Sequence, residues 1–504
     1  MPKFTHAMLF ALIGATGPIV AAQEAPLRLG GVPAETKSVA TAQKADLIAS
    51  YLRLDHEVVA RDALAGGDAI RVNAAFDDAT AAFFAGAINS ALGQLDSQTA
   101  SLRLRNDALP QHIIAMSFQA RIDPPVWRAG LPEPRLTVAP LYEVRFDKTN
   151  YDDPRIRFAV VGPDGAAVAE HDVTVSDDAV WPQSIEVFAG AMPGDLRPGV
   201  YTLTARWVEG RQEPFEVGRW QVAARSMDGV REVNEARLNI IQQAEPDLAQ
   251  PIAMTRSRNA LLSDSPSPEQ AAQWLADQTT LAESVDAELA SLEQGVNPFV
   301  GRTGDWWCRL PANGVDLPLR VYIPDSLPDG PAPLVIAIHG MGGDENMFMD
   351  GYGDGAIKRL ASERGFIVAS PEAANMAYPA SFDALVEAVN AWRSVDPSRI
   401  YLVGHSMGAG LAATLAGARP DRIAGLAMIA GGGGFPPAGK PMPPTVVIGA
   451  ETDNLVRPSM LEDMAKAARE RGLPVEGRTI PGVGHTMVVN LALPEIIDGW
   501  MPTP

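Results

Sequence analysis

The stretch "RIYLVGHSMGAGLAATLAGARP", Arg399–Pro420, changes texture at its middle. "RIYLVG" is an apolar run with β-branched and aromatic residues, the pattern of a strand covered on both faces. From Met407 onward, alanine and leucine recur at helical spacing. Ser406 stands at the junction, inside a G-x-S-x-G turn, so the spacing predicts strand, sharp turn and helix with the serine on the bend. Gly404 and Gly408 suit a turn too tight for side chains. The helix start places free N–H groups and a positive dipole end beside the serine oxygen.

The same texture extends to both sides. Strand-like runs "PLRVYIP", "LVIAIHG", "FIVASPE", "IAGLAMIAG", "TVVIGAE" and "EGRTIPG" alternate with helical runs such as "GAIKRLASERG", "SFDALVEAVNAWRS" and "SMLEDMAKAARERG". A βα alternation of this kind predicts a mostly parallel sheet with helices on both faces, here over residues 299–504.

A serine hydroxyl becomes a nucleophile only when a base takes its proton. His485, in "PGVGHTM", is the one histidine downstream of Ser406, on a loop between the last strand-like run and the final helix. An acid must orient that base, and "TVVIGAETDNLV" offers Asp453 and Glu451 after a strand; Asp453 is preferred because it lies farther into the loop. The loop "HGMGG" supplies backbone donors for an oxyanion, namely the N–H groups of Met341 (or Gly340) and Met407. His339 and His405 end strands and read as structural hydrogen-bonding groups. Asp421, Asp463 and Asp498 read as surface charges.

These segments, "LVIAIHGMGG", "RGFIVASPE", "VDPSRIYLVGHSMG", "GAETDNLV" and "GVGH", resemble the α/β-hydrolase fold. Within it they are similar to esterases grouped with polyhydroxybutyrate depolymerases and feruloyl or acetylxylan esterases. The resemblance covers about Arg302 to Met501. It implies a nucleophile at Ser406, an acid at Asp453, a base at His485, and an acyl-enzyme mechanism on carboxylic esters, without metal or organic cofactor. About fourteen residues separate "LAMIAG" from "TVVIGA", so no lid is inserted there and an open site is expected, lined by the intervening Gly/Pro-rich loop. A serine peptidase or acyl-peptide hydrolase, and a catalytically degenerate domain in a glycan- or partner-binding protein, are the competing readings.

The rest of the chain has other textures. Residues 1–22 carry Lys3, an apolar core and small residues at Val20 and Ala22, the pattern of a cleaved export signal, so a periplasmic or extracellular protein is expected. Residues 23–130 are read as helical, with two or three helices between about 41 and 104. Residues 131–225 read as a β-sandwich from short alternating runs such as "GVYTLTARWV". Residues 226–298 return to helical periodicity, with a helix start at Ser267 and Glu269, and are expected to pack with the first helical block. His56, His112 and His171 are scattered and read as ordinary structural or surface residues rather than metal ligands.

A net charge of -20 over 504 residues argues against nucleic acid or an anionic membrane surface as partner. No stretch after the first is long and apolar enough to span a bilayer. Cys308 is the only cysteine, so no intramolecular disulfide can form. The expected partner is a small-molecule or polymer-attached ester.

Overall fold

The computed structural model describes residues 40–65, 67–104, 110–143, 154–175, 182–186, 196–209, 213–267, 277–312 and 314–501. The export signal read at 1–22 and the helix start read at Glu269 lie outside them.

The C-terminal part is an eight-stranded sheet in the order β16-β15-β14-β13-β11-β12-β10-β9. Its edge pair, β9 (Gly304–Ala312) and β10 (Val315–Ile323), is antiparallel, and β10 also runs antiparallel to β12 (Ile367–Pro371). The remaining strands are parallel: β12, β11 (Ala332–Ile338), β13 (Val395–His405), β14 (Gly425–Ile429), β15 (Thr445–Ala450) and β16 (Val475–Ile480). Along β11, Leu334, Ile336 and Ile338 enter one apolar cluster, with α10 (Pro379–Trp392), α11 (Met407–Ala418) and α12 (Pro458–Glu470). The alternate residues Val335 and Ala337 enter another, with α9 (Tyr352–Arg364) and α13 (Val488–Trp500). Both faces are covered, which is why these strands read as continuous apolar runs. The chain leaves β11 to one side, for β12, and returns on the other as β13. That reversal opens a crevice at the carboxyl ends of β11 and β13, the place where open α/β sheets bind ligands.

The preceding residues form three further units. Helices α1 (Lys44–Ala60), α2 (Ala69–Phe84) and α3 (Ile88–Arg103) bury Leu54, Val58, Val72, Phe76 and Leu95 together with Met487 of the C-terminal part. After α4 (Pro110–Ser117) come two sheets, which also use β2 (Val126–Trp127), β5 (Ala167–Thr174), β6 (Gln183–Glu186) and β8 (Phe215–Val222); one is ordered β1-β3-β6 and one β2-β8-β7-β4-β5. Ile122 of β1 (Phe118–Asp123) and Leu136 of β3 (Arg135–Pro140) share a core with Phe158 of β4 (Arg155–Val161) and Trp207 of β7 (Gly199–Trp207). The first strand thus begins thirteen residues before the expected boundary at 131, because "HIIAMSFQARI" passes from helix to strand without a turn residue.

Helices α5 (Met227–Ala244), α6 (Ala249–Asn259) and α7 (Gln278–Leu292) bury Leu238, Ile252, Leu281 and Leu289 around Trp307 of β9. The expectation that the two helical blocks pack on each other is therefore corrected: among the described residues their apolar clusters are separate, one gathering Trp307 of β9 and the other Met487 just before α13.

Candidate active site

Ser406 follows β13 and directly precedes α11, at φ 52° and ψ -117°. A non-glycine residue there is strained by roughly 1–3 kcal/mol and is held by its surroundings. The hold is visible: Ser406 N–H donates to the Ile429 carbonyl at 2.8 Å. A Cβ on Gly404 would lie 2.3 Å from the Gly408 oxygen, and one on Gly408 2.1 Å from the Ile338 oxygen, so only glycine fits on either side of the bend.

His485 Nδ1 lies 2.8 Å from Asp453 Oδ2, with both side chains buried. The carboxylate's other oxygen accepts the N–H groups of Leu455 and Val456, each at 2.8 Å, which fixes its orientation. A carboxylate accepts, so Nδ1 carries the proton and Nε2 keeps its lone pair. Glu451 is turned elsewhere: its Oε2 accepts from Gly482 N–H at 2.7 Å in an exposed position.

The structure brings Ser406 and His485 to one cavity, together with the Gly340–Gly343 loop, but no hydrogen bond joins Ser406 Oγ to the imidazole. Such bonds are commonly loose without substrate. Met341 sits in that loop, closed by Gly343 N–H donating to the Gly340 oxygen at 3.2 Å. Met407 is the first residue of α11, so its N–H has no acceptor within the helix.

The two histidines at strand ends hold the frame. His405 Nε2 donates to the His485 carbonyl at 2.9 Å, and its Nδ1 accepts from the Tyr352 hydroxyl at 2.6 Å. Burial first, and the neighbouring His485 ring second, push His405 down to about 3, so it stays neutral. His339 Nδ1 donates to the Gly340 carbonyl at 2.8 Å and its Nε2 accepts from Ala373 N–H at 3.0 Å, anchoring the start of the glycine loop. Among the described residues, no group of three or more His, Cys, Asp and Glu is placed to hold a metal ion.

Sequence reasoning missed the contribution of α2. Asp77 Oδ1 accepts the His485 N–H at 3.0 Å. Asn73 donates to the Gly482 oxygen at 3.0 Å and accepts Gly484 N–H at 2.8 Å. The histidine loop is thus held by a helix about 400 residues away in sequence. The available signal was a polar i, i+4 pair, Asn73 and Asp77, set among the apolar Val72 and Phe76.

Two further expectations need correction. The site is partly covered rather than fully open: α1, α2 and α3 contribute to the cavity wall, for instance through Leu47, Phe76 and Leu95. The Gly/Pro-rich loop after β14 does not line the cavity. Its Gly431 instead backs the serine's main chain, where a Cβ would lie 2.1 Å from the Ser406 carbonyl oxygen.

Burial, and less strongly the Asp453 charge, push the Asp77 carboxyl up to about 6 against the opposing pull of the His485 N–H. A carboxyl raised in the folded state keeps a proton that the unfolded chain has lost, from its usual value near 3.8 up to about 6. Its contribution to stability is therefore complete below that window and is lost as pH rises through it. Asp77→Asn keeps an acceptor but cannot ionise, so the variant's melting temperature is expected to decline less than the wild type's between pH 4 and 6. Parallel slopes in thermal melts would place the ionisation elsewhere.

The family model described as the alpha/beta hydrolase fold matches residues 333–443. A stretch of 163 residues is 32% identical to the dihydrolipoyllysine-residue acetyltransferase component of the acetoin cleaving system of Pseudomonas putida, covering 29% of this chain and 42% of that protein. The chain thus spans about two-fifths of the length of the curated relative it matches. Among solved structures, it is similar to S-formylglutathione hydrolase from Staphylococcus aureus, with 15% identity, TM-score 0.34, and coverage of 39% of this chain and 97% of that one. It is also similar to an esterase from Pyrobaculum calidifontis, at 22% identity, TM-score 0.32, and coverage of 40% and 86% respectively. Acetyl xylan esterase from Aspergillus awamori has 17% identity and TM-score 0.32, with 38% and 96% covered.

Proposed function

We propose, from the premise that residues 333–443 carry an α/β-hydrolase fold, that this protein is a serine hydrolase of carboxylic esters. The observation that carries the proposal is the 2.8 Å contact between His485 Nδ1 and Asp453, which leaves Nε2 as a base in the cavity where Ser406 lies. Ser406 Oγ attacks the ester carbonyl as His485 Nε2 takes its proton. The N–H groups of Met341, or Gly340, and Met407 hold the tetrahedral oxyanion. Collapse expels the alcohol, which takes the proton back from His485. Water then repeats the sequence to release the acid and regenerate the serine. The substrate is a small-molecule or polymer-attached ester, and residues 1–22 direct export to the periplasm or medium.

Hydrolysis of p-nitrophenyl acetate and butyrate, set beside an aminoacyl p-nitroanilide, tests this reading. Turnover of the esters with slow anilide cleavage is expected. Anilide turnover equal to ester turnover would make the protein a peptidase, and a folded protein inert toward all of them would leave a hydrolase fold used for binding.

A further inference from the structure

The cavity above Ser406 has two walls of different origin. One belongs to the sheet: Ser406, His485 and the Gly340–Gly343 loop. The other belongs to the N-terminal helices and is almost entirely apolar, with Leu47, Ile48 and Leu52 from α1 and Phe76, Ala79 and Phe83 from α2. The walls touch closely at Gly342, where a Cβ would lie 2.5 Å from Phe83 Cε1.

The helical wall is fixed in place by polar ties at several points. Lys44 Nζ pairs with Asp344 at 3.1 Å beside the glycine loop. Asp55, fully buried, accepts from Asp354 N–H at 2.6 Å and from the Asn490 side chain at 3.0 Å. Asn73 and Asp77 hold the histidine loop as described, and Met487 enters the helical core. A wall tied at this many places to the glycine loop, the histidine loop and the helices beside them is part of the site. Its cavity measures about 150 Å³, a size that in a protein interior holds one benzene ring.

Resting on the reading of Ser406 as nucleophile, we propose that the space between α1, α2 and the glycine loop is a selectivity pocket for one compact apolar group of the ester, of about six carbons. Apolar burial rewards each methylene that enters, and reward ends where the helices close the space. The group belongs to either the acyl or the alcohol side, since both flank the carbonyl carbon held at Ser406.

Two ester series on the full-length protein test this. One varies the acyl chain of p-nitrophenyl esters from acetate through butyrate, hexanoate and octanoate to palmitate. The other varies the alcohol of acetate esters from ethyl through hexyl and benzyl to dodecyl, followed by proton release. In one series kcat/KM is expected to rise about 10- to 100-fold up to about six carbons and then to fall, and the series that shows the peak assigns the side. Phe83→Ala should move that peak to longer chains, and Thr80→Phe, from a partly exposed position on the same wall, to shorter ones. Flat profiles in both series, or a peak that neither folded variant moves, overturn the pocket. Labelling of Ser406 by a small methyl fluorophosphonate separates the two failures: a labelled enzyme with flat profiles loses only the pocket, whereas a folded, unlabelled and inactive enzyme loses the serine hydrolase reading.

Discussion

Ser406→Ala is expected to lower ester turnover by about 10⁴- to 10⁶-fold, the loss seen when a triad nucleophile is removed, while leaving the protein folded. The hydroxyl makes no hydrogen bond in the structure, so no buried partner is orphaned by its removal. Backbone strain makes the stability effect more informative. At φ 52° a serine costs roughly 1–3 kcal/mol, and alanine costs the same, because the strain comes from Cβ. Ser406→Gly, which has no Cβ, should be equally inactive but melt above the wild type by a few degrees. Active-site titration of both variants, with thermal melts, checks the pair. Residual turnover within tenfold of wild type would remove Ser406 from the chemistry, and a glycine variant that melts lower would remove the argument from strain.

The second large effect belongs to Asp453. Asp453→Asn has one oxygen: turned to the Leu455 and Val456 N–H groups it leaves NH₂ facing His485, and turned to His485 it sets NH₂ against those two N–H donors. The amide arrangement with best hydrogen bonding turns NH₂ toward Nδ1, which then must accept. The proton moves to Nε2, where a base should have its lone pair. A loss of about 10⁴-fold in kcat is expected, with KM little changed, as for the wrong tautomer in Ser-His-Asp triads. Glu451→Gln, by contrast, loses only a charge on an exposed acceptor of Gly482 N–H and should stay within about threefold. Equal losses in the two variants would assign the acid's role to neither alone.

The C-terminal sheet and the gathering of Ser406, Asp453 and His485 were readable because each has a local cause. A strand covered on both faces is written as a continuous apolar run, and the bend at Ser406 demands small residues at Gly404 and Gly408. The loops carrying Asp453 and His485 follow β15 and β16 directly, so chain order alone places them at one end of the sheet. The helical wall has no such local cause. The periodicity of α1 and α2 shows that they have an apolar face but not what covers it, and the same face would serve a bundle of the two helical blocks. Asp77 beside Asp78 looks like a solvated pair until the His485 N–H arrives from 408 positions away. The partial cover over the site follows the same logic: it is not an insertion within the fold but comes from helices far away along the chain.

The bonds from α2 to the histidine loop join residues 408 to 411 positions apart. Contacts of such separation close late in folding, since the intervening chain gives up its freedom before the contact rewards it. The strands and helices next to one another in sequence have no such delay. A chain diluted out of denaturant therefore regains its ellipticity ahead of its hydrolytic competence, and the lag between the two clocks the meeting of its distant ends.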